Sequence, residues 1–406
     1  MDQPFVTERE VAPARGTREP ARVLPPVSAV MPVRNEERHL AEAVRRVLGQ
    51  DYPAELELVL AVGPSRDRTE AIARELAAGD RRITVVANPS GRRPSAMNVA
   101  VKAARHDVIA RIDGHALLPG GYLRTAVTCL LDTGAADVGG VMAAEGVTPF
   151  QRAVAWAMTS KAGVGSAEFH TGGGAGPALT AYLGVYRRSA IEQAGGWDEE
   201  MLIAEDWELN YRIRALGGLI WFDPSLRVTY RPRASLGTLA AQYFRYGRWR
   251  RVVARQYPET VSLRYLAPPA AVSANAAGLI AGITGLAALA GGEPAAGYLA
   301  LGFVIPLVYL AGITAVALGS GMPARIRALV PVVLATMHMC WGAGFLTSPR
   351  RLARNTRAAA GRPLRPSSAG PGPGHGPATP PSSPSSPSPP DLAPGQHASG
   401  TMNHGL

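Results

Sequence analysis

Cysteine is nearly absent. Cys129 and Cys340 are the only two, far apart and in segments of different character, which excludes a disulfide framework and a cysteine-based metal centre and suits a reducing compartment. Lysine is as scarce, with Lys102 and Lys161 alone, so the formal net charge of +11 rests on arginine and cannot be titrated away near neutrality. The first 25 residues lack an apolar core and mix Asp2, Glu8 and Glu10 with arginine and proline, so no secretory signal is expected and the domain that follows should stay cytoplasmic. Large apolar side chains are also scarce in 1–25 and in about 360–406, which are rich in Pro, Ser, Gly and Ala. Such segments cannot offset the entropy of ordering, and both are expected to be disordered.

Charge is missing from three longer stretches, 266–292, 294–324 and 328–349. A spanning helix needs roughly 20 mostly apolar residues, and a soluble helical core would carry charged outer stripes that these lack, so membrane segments are expected at about 266–291, 295–319 and 328–348. Arg245, Arg248, Arg250, Arg251, Arg255 and Arg264 precede the first, which places the domain before it inside by the positive-inside rule. Three full crossings would then strand Arg350, Arg351, Arg354 and Arg357 outside. The last segment, with Pro331, His338 and Gly342, is therefore expected to re-enter or to lie partly in the interface. A basic chain with a pI near 10.1 seeks anionic partners, but its arginines gather beside the apolar segments rather than on one recognition helix. No nucleic-acid partner is expected; membrane lipid is.

What is present in the first half is alternation. Short β-branched runs at Val27–Val33, Leu56–Val62, Ile83–Ala87 and 108–112 are each followed by an amphipathic stretch, at 37–48, 67–78, 94–104 and 120–131. This βαβ series predicts an open, mostly parallel sheet with helices on both faces. Ligands of such sheets bind beyond the carboxyl ends of the strands. There stands Met31-Pro32-Val33-Arg34-Asn35-Glu36-Glu37, which as an isolated motif is also explained by helix capping. After the fourth strand comes Arg111-Ile112-Asp113-Gly114-His115, a carboxylate and an imidazole two residues apart. Both suit one divalent cation bridging a diphosphate, Mn²⁺ more naturally than Mg²⁺ given His115, although the imidazole could instead donate to phosphate. Further on, Glu205-Asp206-Trp207-Glu208 opens an amphipathic stretch. A carboxylate beside an aromatic sugar platform suits the base that deprotonates an attacking hydroxyl, while acidic residues at a helix start are also commonly structural.

These pieces, together with Gly184-Val185-Tyr186-Arg187-Arg188 and Gly195-Gly196-Trp197-Asp198, occur in the order seen in family 2 glycosyltransferases, across residues 26 to about 255. The chain most resembles the succinoglycan-biosynthesis type, whose metal loop reads Asp-Gly-His. The resemblance implies an α/β GT-A fold, Rossmann-like and nucleotide-sugar-binding, at 26–235; composition adds an amphipathic or interfacial helix region at 236–263, transmembrane helices at 264–349 and a basic, then Pro/Ser-rich tail at 350–406. The resemblance also implies an inverting transferase with Asp206 as base and Glu205 beside it, and a divalent metal at Asp113 and His115. Donor-binding residues would be Pro32, Arg34, Asn35, Glu36, Gly63, Arg92, Arg93, Asn98 and Asp113. A UDP-sugar is the expected donor and a lipid-linked saccharide the expected acceptor. Gln242-Tyr243-Phe244-Arg245-Tyr246 is similar to the Gln-x-x-Arg-Trp element that holds diphosphate and acceptor, so Gln242, Arg245, Tyr246, Arg248 and Trp249 are assigned there with Trp207; an interfacial basic helix snorkelling to headgroups is the rival reading. One departure stands out. Where relatives carry Asp-Asp-Gly-Ser, this chain has Val62-Gly63-Pro64-Ser65, and Asp67 is read as a helix cap. A degenerate relative that binds sugar nucleotide without turnover is the alternative.

Overall fold

The structure, a computed structural model, describes residues 23–165, 168–353 and 355–356. Most of the two terminal tails expected to be disordered lies outside the described residues. The first strand-helix units are β1 (Val27–Val33), α1 (Leu40–Leu48), β2 (Leu56–Val62), α2 (Thr69–Gly79), β3 (Ile83–Ala87), α3 (Arg93–Ala103), β4 (Val108–Arg111) and α4 (Tyr122–Thr133). β2 is buried along its whole length, the mark of a central strand covered on both faces. Its one charge, Glu57, survives burial because Ser28 Oγ donates to it at 2.5 Å and Arg105 Nε at 2.6 Å. α1 turns Leu40, Ala43, Val44 and Val47 inward, a helical spacing that meets the sheet with one stripe.

The chain continues through β5 (Asp137–Ala144), α5 (Pro149–Thr159), the short helices α6 (Lys161–Val164) and α7 (Glu168–Thr171), β6 (Gly176–Pro177), β7 (Tyr182–Arg187), α8 (Arg188–Gln193), α9 (Glu205–Ala215) and β8 (Ile220–Tyr230). One eight-stranded sheet results, in the order β3-β2-β1-β4-β7-β5-β8-β6. The pairs β1/β2, β1/β4, β2/β3 and β5/β8 are parallel, as the βαβ alternation predicts. β7 departs from it: it wedges between β4 and β5 antiparallel to both, joining the two parallel halves. Each face carries a core. Leu40, Ala73 and Leu123 cover one with side chains from α1, α2 and α4, while Met97, Ile191 and Leu209 cover the other from α3, α8 and α9. The chain thus has the α/β GT-A architecture that the resemblance implies.

Beyond the sheet run α10 (Leu236–Gln256), α11 (Leu263–Ala290), a 3-10 stretch (Pro294–Phe303) continuing into α12 (Val304–Leu318), the short α13 (Ala324–Arg327) and α14 (Val330–Leu346). Three helical segments, Leu263–Ala290, Pro294–Leu318 and Ala324–Leu346, are long and apolar enough to cross a membrane. Their positions follow the charge-free stretches of the sequence to within a few residues.

Candidate active site

β1 and β4 end side by side in the sheet, with Val30 level with Arg111, so the loops after them share one edge. Between those loops and the start of α3 lies a cavity of about 200 Å³, lined by Pro32, Val33, Arg34, Glu36, Asn88, Gly91, Arg92, Arg93, Ala96, Asp113, Gly114 and His115. Seven of the sequence-predicted residues therefore meet here: Pro32, Arg34, Glu36, Arg92, Arg93, Asp113 and His115. Gly114 is tightly framed, since a Cβ on it would lie 3.0 Å from Val33 Cγ1. His115 Nδ1 pairs with Glu36 Oε1 at 2.9 Å. That hydrogen bond, opposed by burial and aided by the Asp113 charge, lifts the imidazole above its ordinary pKa.

α9 delivers the second set of carboxylates. Ala204, just before it, adopts left-handed backbone (φ 67), an uncommon conformation for a residue with a Cβ and one that recurs at functional turns. Asn35, in the loop after β1, shares it (φ 55). The loop after β4 and the start of α9, distant in sequence, converge on Arg111: its Nη2 stands 2.9 Å from Asp113 Oδ1 and 3.4 Å from Asp206 Oδ2. Arg93 Nη1 reaches Glu205 Oε1 at 3.1 Å, and Trp197 Nε1 donates to Asp206 Oδ1 at 3.0 Å. Burial would push the Asp113 carboxyl up, but Arg111 and then Arg93 hold it below the usual range. Glu205 moves the other way, raised by burial and by the neighbouring Asp206 charge against the pull of Arg93.

Other expected residues sit around this centre in different roles. Arg34 stretches under the loop after β2, with Nε donating to Pro64 O at 3.1 Å and Nη1 to Gly91 O at 3.2 Å. Gly63 backs onto it, a Cβ there falling 3.2 Å from Gly91 Cα. Asn35 braces the same loop, accepting from Arg66 N at 2.8 Å, while Asp67 accepts from Thr69 N at 3.1 Å at the start of α2. Asn98 holds the turn that carries Trp197, donating to Trp197 O at 2.9 Å and accepting from Trp197 N at 2.8 Å. Arg92 pairs with Glu200. On α10, Gln242 is buried at 3 % exposure, and its amide donates to the hydroxyls of Tyr230 (3.0 Å) and Tyr246 (2.8 Å). Arg245 is exposed, Arg248 lies over the Phe244 ring, and Trp249 is buried against Met201, Val252 and Val253. Trp207 stacks on Tyr211 with ring centroids 5.7 Å apart and receives the Arg250 guanidinium at 4.9 Å, so its ring is enclosed by protein groups.

Sequence reasoning left Arg111 and Trp197 without a role, although both stand in the quoted motifs. An arginine inside the buried run Val108-Ile109-Ala110-Arg111-Ile112 is itself a signal, because a buried guanidinium requires carboxylates nearby. Among the described residues no three His, Cys, Asp or Glu side chains form a ligating group. Asp113 and His115, which line one cavity, are the two residues that would hold a divalent cation there.

An eight-stranded α/β sheet, with the carboxylate of the loop after β4 meeting that at the start of α9, is the frame of a glycosyltransferase. The model of the family described as "Glycosyl transferase family 2" matches residues 28–195. The chain is 33% identical over 318 residues to "Succinoglycan biosynthesis protein ExoA" of Rhizobium meliloti (strain 1021), covering 78% of this chain and 92% of that one. It therefore belongs to glycosyl transferase family 2, and it is a glycosyltransferase. It is also 23% identical over 237 residues to "Dolichyl N-acetyl-alpha-D-glucosaminyl phosphate 3-beta-D-2,3-diacetamido-2,3-dideoxy-beta-D-glucuronosyltransferase" of Methanococcus voltae, covering 54% of this chain and 71% of the relative. Among solved structures, "Mannosyltransferase PcManGT from Pyrobaculum calidifontis in complex with GDP-Man and Mn2+" aligns with a TM-score of 0.48 and 19% identity, over 82% of this chain and 90% of that one.

Proposed function

We propose that this enzyme transfers a sugar, with inversion, from a nucleotide-sugar donor to a lipid-linked or polysaccharide acceptor at the cytoplasmic membrane face, in exopolysaccharide or cell-envelope glycan synthesis. The observation that carries the reading is the convergence of Asp113 and Asp206 on one guanidinium. Asp206 takes the proton of the acceptor hydroxyl as it attacks the anomeric carbon. Arg93 and Arg92 line the cavity where diphosphate charge develops, and donors fixed there in advance stabilise it without reorganising. A divalent cation held by Asp113 and His115 would neutralise the departing diphosphate. The pathway assignment rests on the succinoglycan relative, and the lipid-linked acceptor on the name of the dolichyl-linked one and on the three apolar helices. A uridine diphosphate sugar is the proposed donor class; Gly63 frames its site by close packing, while its own N–H donates to Val33 O at 2.9 Å and its O accepts from Ser65 Oγ at 3.0 Å.

The test uses the full chain purified in detergent, offered a panel of sugar nucleotides with Mn²⁺ or Mg²⁺. Hydrolysis or transfer is expected from one or few donors, falling about 10²–10⁴-fold in Asp206→Asn and by a similar factor in Asp113→Asn. Wild-type rates in both folded variants would remove the site assignment. A second reading has one observation behind it: Trp197 and Arg111 engage both oxygens of Asp206. Saturable donor binding with no turnover for any donor and acceptor pair would favour a sugar-nucleotide-binding protein.

A further inference from the structure

Two of the three apolar segments behave differently from the third. α11 and the stretch from Pro294 into α12 form an antiparallel hairpin packed through small residues. A Cβ on Gly278 would fall 2.6 Å from Gly302 O and one on Gly282 2.7 Å from Phe303 ring atoms, the close backbone approach typical of helices in lipid. Its outward side chains, among them Ile280, Ile283, Leu301, Leu307 and Val308, are exposed. At 28 residues and about 1.5 Å each, α11 reaches roughly 42 Å, more than the roughly 30 Å of a bilayer core.

α14 has 17 residues, about 26 Å, and from end to end it lies against parts of the chain that precede the hairpin. Near its start, Val330, Val333 and Leu334 join one core with Val154, Ala157 and Met158 of α5. At its middle, His338 Nε2 meets Ala162 O of α6 at 2.8 Å, and its Nδ1 meets Tyr309 of α12 at 3.1 Å. Next, Gly342 and Gly344 are pressed against the main chain at Pro268 and Phe244, where any Cβ would collide. Just past its end, Ser348 Oγ donates to Arg248 O at 2.9 Å and Ser348 O accepts from Arg255 Nη2 at 2.8 Å. It also meets the hairpin, at Tyr265, Pro268 and Val272 where α11 begins and along α12 from Tyr309 through Ile313 to Ala317 toward its finish.

A helix that crossed the bilayer would leave the cytoplasmic domain behind after its first turns. Its partner α10 also carries Arg245, Arg248, Arg250, Arg251 and Arg255, and each arginine at the bilayer centre costs several kcal/mol. We infer that α14 does not cross: α10 and α14 together form a surface that lies on an anionic lipid bilayer across the base of a two-helix anchor, and only the α11–α12 hairpin spans. The exposed Arg245, Arg251, Arg325, Arg350 and Arg351 then all face the one leaflet, drawn to its acidic headgroups, and the positive-inside conflict disappears. This deepens the membrane reading above but does not depend on the reaction.

Single cysteines placed in a Cys129→Ser/Cys340→Ala background of the full chain test it, using a membrane-impermeant maleimide on sealed vesicles of one known orientation. Arg81→Cys marks the catalytic domain, Gly292→Cys the tip of the hairpin and Thr347→Cys the end of α14. Thr347→Cys should label from the same side as Arg81→Cys, and Gly292→Cys from the other. Labelling of Thr347→Cys with Gly292→Cys, or of all three from one side, overturns the inference. The cysteine-containing chain with a tag after Leu406 gives an independent reading: the tag should be reached by antibody from the catalytic side, and access from the opposite side sinks the proposal. Neither measurement needs turnover, so a failure here is distinct from failure of the transferase assignment.

Discussion

Asp113 and Asp206 share a single nitrogen, Nη2 of Arg111, at 2.9 and 3.4 Å. A common cation lets two buried or half-buried carboxylates stand close while both stay charged, and Arg111, at 3 % exposure, joins the loop after β4 to the helix bearing Asp206. Arg111→Met would leave that charge uncompensated at a cost of about 3–5 kcal/mol, and activity should fall with it. Arg111→Lys keeps the charge but not the fork, so we expect kcat to fall more than donor KM rises. Equal loss in kcat and stability, with no kcat-to-KM split, would make Arg111 a packing residue only.

Arg250 is sandwiched, 3.6 Å from the centre of Tyr265 and 4.9 Å from that of Trp207. The stack ties the residue next to Asp206 to the first turn of α11. Each cation–π contact contributes about 0.5–2 kcal/mol, so Arg250→Met should lower Tm by several degrees and kcat several-fold, with donor binding little changed. Thermal scans and initial rates on one preparation check both halves.

Helix α10 touches α14 backbone to backbone. A Cβ on Gly247 would collide with Trp341 O, and one on Gly344 with Phe244 O. Gly247→Leu and Gly344→Leu are therefore expected to cost about 3 kcal/mol or more and to lose a monodisperse elution profile in detergent. Gly312, with no atom within 4 Å of a Cβ added there, is the control: Gly312→Leu should behave as wild type.

Glu57 supplies a pH dependence remote from Asp113 and Asp206. Burial opposes its charge, yet the Ser28 hydroxyl and Arg105 hold its pKa below the usual carboxylate value. A depressed folded pKa stabilises above the unfolded value of about 4.3 and is lost as pH falls through the folded one. Glu57→Gln should lower Tm at neutral pH and flatten its decline on acidification; parallel Tm curves for the two proteins would contradict this.

Local signals carried much of the architecture. β1, β2 and β3 begin and end where the apolar runs do; for β1 and β2, covered on both faces, burial demands mostly apolar side chains, while β3 lies at the sheet edge. Helix starts shifted by one to three residues, as at α1, which opens at Leu40 rather than at 37, since the turn after β1 consumes the intervening residues. β7 was not legible as an antiparallel wedge, because its pairing with β4 and β5 joins segments that the sequence does not bring near one another.

The sequence by itself determined the alternating βαβ order, the charge-free helices and which loops would carry carboxylates, since those depend on side-chain periodicity and on neighbours a few residues away. Only the tertiary structure decided that Arg111 would join Asp113 to Asp206, that Trp197 would bind Asp206, and that α14 would lie against α5, α6 and α10. Those are contacts between residues far apart along the chain, set by how sheet and helices close on one another, and no local pattern specifies them.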